Sequence, residues 1–267
     1  MTEPKSQGPG APLAGGRMTT GMVRRGQQLH RPIGPWSPAV HEFLRYLESV
    51  GFDGSPRLLG VEGDREILTF LDGDVAVDPH WQPGRGHLLP PYARTDRALR
   101  GAGALIRRLH DAAAGFEPAN VGYRFHRHPP RSGEIVSHGD IGPWNTVYRD
   151  GEPAAFIDWD AAGPVEPLLD LADAAWVFVP LTPDGRLREA GFDPLPDLAA
   201  RLRLFLDGYG LANRQQILPA LQRARLIAAE RIKHWPIGAA DAADGLELIA
   251  TDLRWLGSVS TDLARAL

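Results

Sequence analysis

At 267 residues the chain is long enough for one large domain or for two lobes around a cleft. A net charge of −4 supplies no basic field for nucleic acid or an anionic membrane, and no apolar run approaches the roughly 20 residues that span a bilayer. Zero cysteines exclude disulfides, thiolate catalysis and Cys-ligated metal, and no apolar signal core opens the sequence, so a soluble cytoplasmic protein is expected.

Residues 1–14 are rich in Pro and Gly and read as a flexible tail. Two β-prone pieces within 17–31 flank Arg25-Gly26 and predict a hairpin. Ser37-Pro38 opens a helix with Ser37 as the expected N-cap; Val40, Phe43, Leu44, Leu47 and Val50 follow at helical spacing until Gly51 ends the run. Residues 57–61 and 65–71 read as two more strands, and 73–94 as a loop. Thr95-Asp96 then caps a helix to about Ala114 that carries Leu99, Leu105, Ile106 and Leu109 on one stripe. After a polar hairpin, helices are expected over 166–178, 195–210, 214–234 and 241–265. No fixed-period repeat interrupts this order.

The polar hairpin is the most informative stretch. In HGDIGPWNTVYRDGEPAAFIDWD, residues 138–160, an Asp-Gly pair separates two short β-prone runs. Antiparallel pairing of 145–148 with 154–157 brings Asn145 beside Asp158, and the preceding loop carries Asp140 to the same end. Turn chemistry accounts for Asp150-Gly151 but leaves the outer acids unexplained.

The spacing His138-x-Asp140-x4-Asn145, with Asp158 thirteen residues after Asn145, resembles the catalytic loop and metal-binding acid of the protein-kinase-like fold. HGD in place of His-Arg-Asp and IDWD in place of Asp-Phe-Gly are similar to the aminoglycoside phosphotransferase and choline kinase-like family of small-molecule kinases. The phrases IRRLHDA and LLDLADAAW strengthen the match, which covers roughly residues 17–235. The resemblance implies an α+β, bilobal protein-kinase-like fold: a small β-rich N-lobe over 15–72, then a linker and a larger helical C-lobe over 73–267 that contains the catalytic hairpin.

It also implies roles. Asp140 is the expected catalytic base, and Asn145 and Asp158 the expected ligands of Mg²⁺. His138 is expected to hold the loop, Asp170 to buttress it, Asp160 to touch metal or substrate or to orient the loop, and Trp144 and Trp159 to pack beside the site. Acids of the helical lobe, Asp160, Asp207 or Glu230, are candidates for an acceptor pocket, although a plain surface role fits them as well.

The N-lobe departs from the family pattern. The chain has only two lysines, Lys5 and Lys233, and neither can sit on the strand that usually presents one to the nucleotide. Arg31 is the expected substitute, with His30 on the opposite strand face and Glu42 on the following helix as partner. Gly15, Gly16 and Gly21 form a loose phosphate-loop pattern, and the backbone from Thr69 to Asp72, chiefly Phe70 and Leu71, is expected to meet the adenine. The resemblance thus implies ATP or GTP as donor and a small-molecule hydroxyl as acceptor, with no nucleic-acid or membrane partner and no oligomeric state specified. Two other readings stay open: a nucleotide-binding protein without transferase activity and a metal-dependent phosphohydrolase.

Overall fold

The computed structural model describes residues 11–12, 21–78, 87–234 and 238–267. Gly15, Gly16 and most of the 1–14 tail lie outside the described residues. A five-stranded antiparallel sheet forms the β-rich end, with β1 (Ala11–Pro12), β2 (Val23–Arg25), β3 (Gln28–Pro32), β4 (Leu58–Glu62) and β5 (Arg65–Thr69) in the order β1-β2-β3-β5-β4. The β2–β3 hairpin turns at Gly26, whose φ of 61° is open to a residue without a Cβ. Between β3 and β4 runs α1 (Ser37–Ser49), which buries Val40, Phe43, Leu44 and Leu47. Its N-cap is Trp36 rather than the expected Ser37, because the Ser37 hydroxyl accepts the Gly34 N–H at 2.9 Å and is spent on the entry turn.

The remainder is mostly helical. The short strand β6 (Asp74–Val75) interrupts the expected 73–94 loop and pairs with the hairpin strand β8 (Thr146–Arg149). Helix α2 (Asp96–Ala113) starts where the sequence places it, with the Thr95 side chain accepting the Ala98 N–H at 3.0 Å. The hairpin of β8 and β9 (Glu152–Phe156) sits on one side, and a two-stranded ribbon of β7 (Ile135–Ser137) and β10 (Gly163–Val165) brackets the loop between them. No alternation over more than three residues marks that ribbon, so the sequence reading passes over it. The C-terminal helices are α3 (Pro167–Phe178), α4 (Asp184–Glu189), α5 (Leu198–Tyr209), α6 (Ile217–His234) and α7 (Ala239–Ala266).

Helices α2 and α5 cross at backbone contact. A Cβ on Gly103 would fall inside the van der Waals shell of Phe205 O and Tyr209 N, and one on Gly208 would strike Arg100 O. The crossing clamps Leu105, Ile106 and Leu109 against Leu202, Phe205 and Leu206 in one continuous core. Gly103→Ala should therefore lower unfolding free energy by about 1–3 kcal/mol, the usual cost of overpacking, in urea titrations. Gly257→Ala on α7, where no atom lies within 4 Å of the added Cβ, should gain up to about 1 kcal/mol from helix propensity.

Candidate active site

The hairpin register fixes the centre. Thr146 faces Phe156 and Arg149 faces Glu152, so Asp150 and Gly151 are the turn, at φ values of 51° and 77°. A bulge between Val147 and Tyr148 shifts the pairing from the simple expectation. At the open end the Ile157 N–H donates to Asn145 O at 2.9 Å, which brings Asn145 alongside the Ile157–Asp158 segment. The Asn145 amide nitrogen donates to both Asp140 O (2.9 Å) and Asp140 Oδ2 (2.8 Å), leaving the Asn145 carbonyl oxygen outside this pair. Asp158 adopts φ 63° and ψ 64°, a left-handed conformation that is costly for a non-glycine residue.

His138 is fully buried beneath this end. Its Nε2 donates to Ile157 O at 2.8 Å, while Nδ1 accepts the Asp140 N–H at 3.3 Å. Both nitrogens are thus spent on a neutral imidazole, and burial pushes its pKa down. The ring ties the hairpin exit to the loop that carries Asp140. Between them Gly139, at φ 79°, passes so close to Ala161 O that a side chain would collide.

Asp170 supports the loop from behind. It accepts from His110 Nε2 at 2.9 Å and from the Ser137 hydroxyl at 2.6 Å, and His110 Nδ1 meets the Tyr209 hydroxyl at 2.9 Å. Burial alone would raise the Asp170 carboxyl, but the bonds from His110 and Ser137 outweigh it and hold it below the usual carboxylate range. Of its partners, His110 lies within the phrase IRRLHDA, while Ser137, one residue before the HGD motif, is not singled out in the sequence.

The other wall comes from the sheet. Arg31 is only 4% exposed. Its Nε donates to Glu66 Oε1, Nη1 to Asp158 Oδ1 at 3.0 Å, and Nη2 to Asp160 Oδ1. Arg124 approaches Asp160 at 3.8 Å while its guanidinium lies 4.2 Å from the Trp36 ring centroid. His30, on the other strand face, meets Gln28 instead.

Several expectations need correction. Glu42 does not touch Arg31: it accepts the backbone N–H groups of Ala119 and Asn120, at 2.6 and 2.9 Å, and locks α1 to the loop after α2. The Arg31 partner is Glu66, directly across the β3–β5 ladder, and the neighbouring helix residue His41 donates to the other Glu66 oxygen. One position along a helix turns the side chain by about 100°, enough to send Glu42 to a different surface. The Phe70 N–H is also unavailable to a base, since it donates to Gln27 O at 2.8 Å, and Arg24 covers the Phe70 ring at 3.7 Å. Leu71 follows directly, before Asp72, which holds Arg24 and Gln27. Asp160 belongs to the Arg31 cluster, Asp207 pairs with Arg214, and Glu230 pairs with Lys233 at 2.5 Å.

The donor set suits a hard divalent cation by chemistry and charge. An amide oxygen from Asn145 and a carboxylate from Asp158, 35% exposed, are oxygen ligands of the type Mg²⁺ takes while keeping several waters. Glu66, Asp158 and Asp160 gather around the guanidinium groups of Arg31 and Arg124, and Asp140 adds a further acid. Among the described residues no group of three His, Cys, Asp or Glu side chains could enclose a metal ion by itself.

A phosphotransferase of the kinase-like fold is the class to which this hairpin and its buttress point. The pattern of the Phosphotransferase enzyme family matches residues 119–205, which span the hairpin and the buttress aspartate. The chain is 37% identical over 210 residues to the trifolitoxin immunity protein of Rhizobium leguminosarum bv. trifolii, covering 76% of this chain and 75% of that protein. It belongs to this family, whose solved relatives in fold include small-molecule kinases. A choline/ethanolamine kinase family protein from Mesorhizobium loti superposes with a TM-score of 0.61 at 17% identity, over 97% of this chain and 92% of that one. The amicoumacin kinase hAmiN, solved with AMP-PNP, Ca²⁺ and Ami, gives 0.57 at 11% identity, over 87% and 84%.

Burial, with the nearby Asp158 charge adding to it, pushes the Asp140 carboxyl above its ordinary value. A carboxyl raised in the fold opposes folding when ionised; that penalty is absent below the unfolded value near 3.8 and complete above the folded one. Asp140→Asn should therefore melt at or above the wild-type temperature at neutral pH, with the difference shrinking as pH falls through the acid range. A lower melting temperature at pH 7 would contradict this account of the Asp140 environment.

Proposed function

We propose that the chain transfers the γ-phosphate of ATP or GTP to a hydroxyl of a small polar molecule. The observation that carries this reading is the meeting of Asp140, Asn145 and Asp158 at one hairpin end, opposite the buried guanidinium of Arg31. Asp140 accepts the acceptor hydroxyl proton as the oxygen–phosphorus bond forms and the bond to the bridging oxygen of the donor breaks. Asn145 Nδ2 fixes the direction of that carboxylate.

Arg31, held by Glu66, grips the donor phosphates in place of a lysine; its planar fork suits phosphate oxygens. Asn145 and Asp158 hold Mg²⁺, which neutralises phosphate charge when bound. His138 and Asp170 keep the loop in register rather than exchange protons. The backbone around Leu71 remains the proposed neighbour of the base.

The relative supplies a starting point for the acceptor. Its name ties it to immunity against trifolitoxin, so a toxin or antibiotic bearing a hydroxyl is the first acceptor class to test. Among the described residues no helix is long and apolar enough to cross a membrane, and a nucleotide-dependent reaction of this kind belongs in the cytoplasm. A melting screen against ATP, GTP and their diphosphates, with and without Mg²⁺, tests donor and metal together, since ligand at 100 times its Kd adds about 2.7 kcal/mol. Absence of any nucleotide shift at millimolar ligand would defeat the reading, and product formation over an acceptor panel would separate transfer from binding alone.

Five substitutions carry the assignment further. Asp140→Asn should cut turnover by about 10²–10⁴-fold with nucleotide binding retained. Asp158→Ala should abolish Mg²⁺-dependent nucleotide binding, and Asn145→Ala should weaken it less, because only Asp158 brings charge to the cation. Arg31→Ala should weaken donor binding or turnover by about ten- to a hundredfold, the range for losing a charge-assisted hydrogen bond, with His30→Ala much milder. Calorimetric titration of nucleotide at several Mg²⁺ concentrations reads the binding effects.

A further inference from the structure

Arg31 and Glu66 are direct partners across antiparallel strands, so sheet register alone would keep them together. The unusual element is the other end of the Glu66 carboxylate. Its Oε1 receives Arg31 Nε, and its Oε2 receives His41 Nε2 from helix α1. All three groups are buried, with side-chain exposures of 5% for Arg31, 3% for Glu66 and 9% for His41. A carboxylate only accepts, so His41 must donate.

An arginine and a carboxylate left to themselves favour a bidentate pair, in which two guanidinium nitrogens meet two carboxylate oxygens. Here the His41 hydrogen bond occupies the second oxygen. Arg31 is thereby confined to one bond with Glu66, through Nε. Both terminal nitrogens are released toward Asp158 and Asp160 on the hairpin side. Glu66 itself stays ionised despite its burial: burial raises its pKa, but His41 and Arg31 more than offset this.

We propose that His41 is a positioning residue for phosphate binding: by occupying Glu66 Oε2 it keeps Arg31 singly bonded to Glu66 and its Nη1 and Nη2 aimed into the site. This rests on the reading of Arg31 as the phosphate ligand. It also makes the site sensitive to α1 through an imidazole, while the carboxylate that pairs with the arginine comes from a strand. Without His41, Glu66 Oε2 becomes a buried acceptor with no partner, and the cheapest repair is a rotation that draws a terminal nitrogen of Arg31 back to Glu66 and away from Asp160.

Two polar substitutions separate positioning from packing. A glutamine at 41 can place its amide nitrogen where Nε2 lies; an asparagine is too short to reach Glu66 Oε2. With full-length protein and Mg-ATP or Mg-GTP, whichever the wild type binds, His41→Asn should weaken nucleotide affinity by about tenfold, as expected for a lost hydrogen bond to a charged group. His41→Gln should stay within about threefold of wild type, and the acceptor KM should be unchanged in both. In an Arg31→Ala background, His41→Asn should cost no further affinity, because its effect passes through that guanidinium. Equal affinity of His41→Asn and wild type, equal loss in the Gln and Asn variants, or an undiminished loss in the Arg31→Ala background would each overturn the proposal while leaving the kinase reading in place. A wild-type protein that binds neither Mg-nucleotide would overturn both.

Discussion

Arg31 bonds to both halves of the site. It leaves the β3–β5 ladder through its pair with Glu66 and reaches Asp158 and Asp160 beyond the hairpin. A buried guanidinium cannot be left unpaired, since removing charge from water costs several kcal/mol per ion. The sheet and the hairpin are therefore held at a fixed separation by electrostatic necessity. Every other feature of the site, from the left-handed backbone at Asp158 to the position of α1, is compatible with that separation.

The hairpin end is built to resist collapse around so many acids. Asp140 is fixed from two directions, by the Asn145 amide at its carboxylate and by the His138 ring beneath its backbone. Behind them the chain Tyr209–His110–Asp170–Ser137 runs from α5 through α2 and α3 to β7, so the loop rests on the same helices whose glycine crossing forms the core. A fully satisfied buried network of this kind is rigid because each member loses a partner if any other moves. The same rigidity holds the carboxylates at the loop's mouth close together, where Arg31 pairs with Asp158 and Asp160.

The sheet side differs in its residues from the family pattern that the sequence resembles. The lysine usual in this family is absent, and the replacement is accompanied by a redistribution of its support. The carboxylate moves from the helix to the neighbouring strand, and the helix contributes an imidazole. Glu42, freed from that role, ties α1 to residues 119 and 120 and thus to the helical lobe. Arginine brings three separate nitrogens where lysine has one, so it needs a surrounding set of acceptors in fixed directions. Glu66, Asp158 and Asp160 supply them.

The sequence by itself determined the elements whose signals are local. Thr95 as a cap, Asp150-Gly151 as a turn and the apolar stripes of α1 and α2 are written in a few adjacent residues, and their outcome depends on little else. The HGD, Asn and IDWD spacing was equally legible, because a short hairpin converts spacing in the chain directly into neighbourhood in space. What only the tertiary structure decided were pairings that depend on register or on rotation about a helix. Glu66 lies 35 positions from Arg31, and nothing local says that their strands are neighbours or in what register they pair. His41 and Glu42 are adjacent in the chain, yet about 100° of helical turn separates the one that reaches the site from the one that does not. Such choices are fixed by how elements pack, and packing is a property of the whole chain.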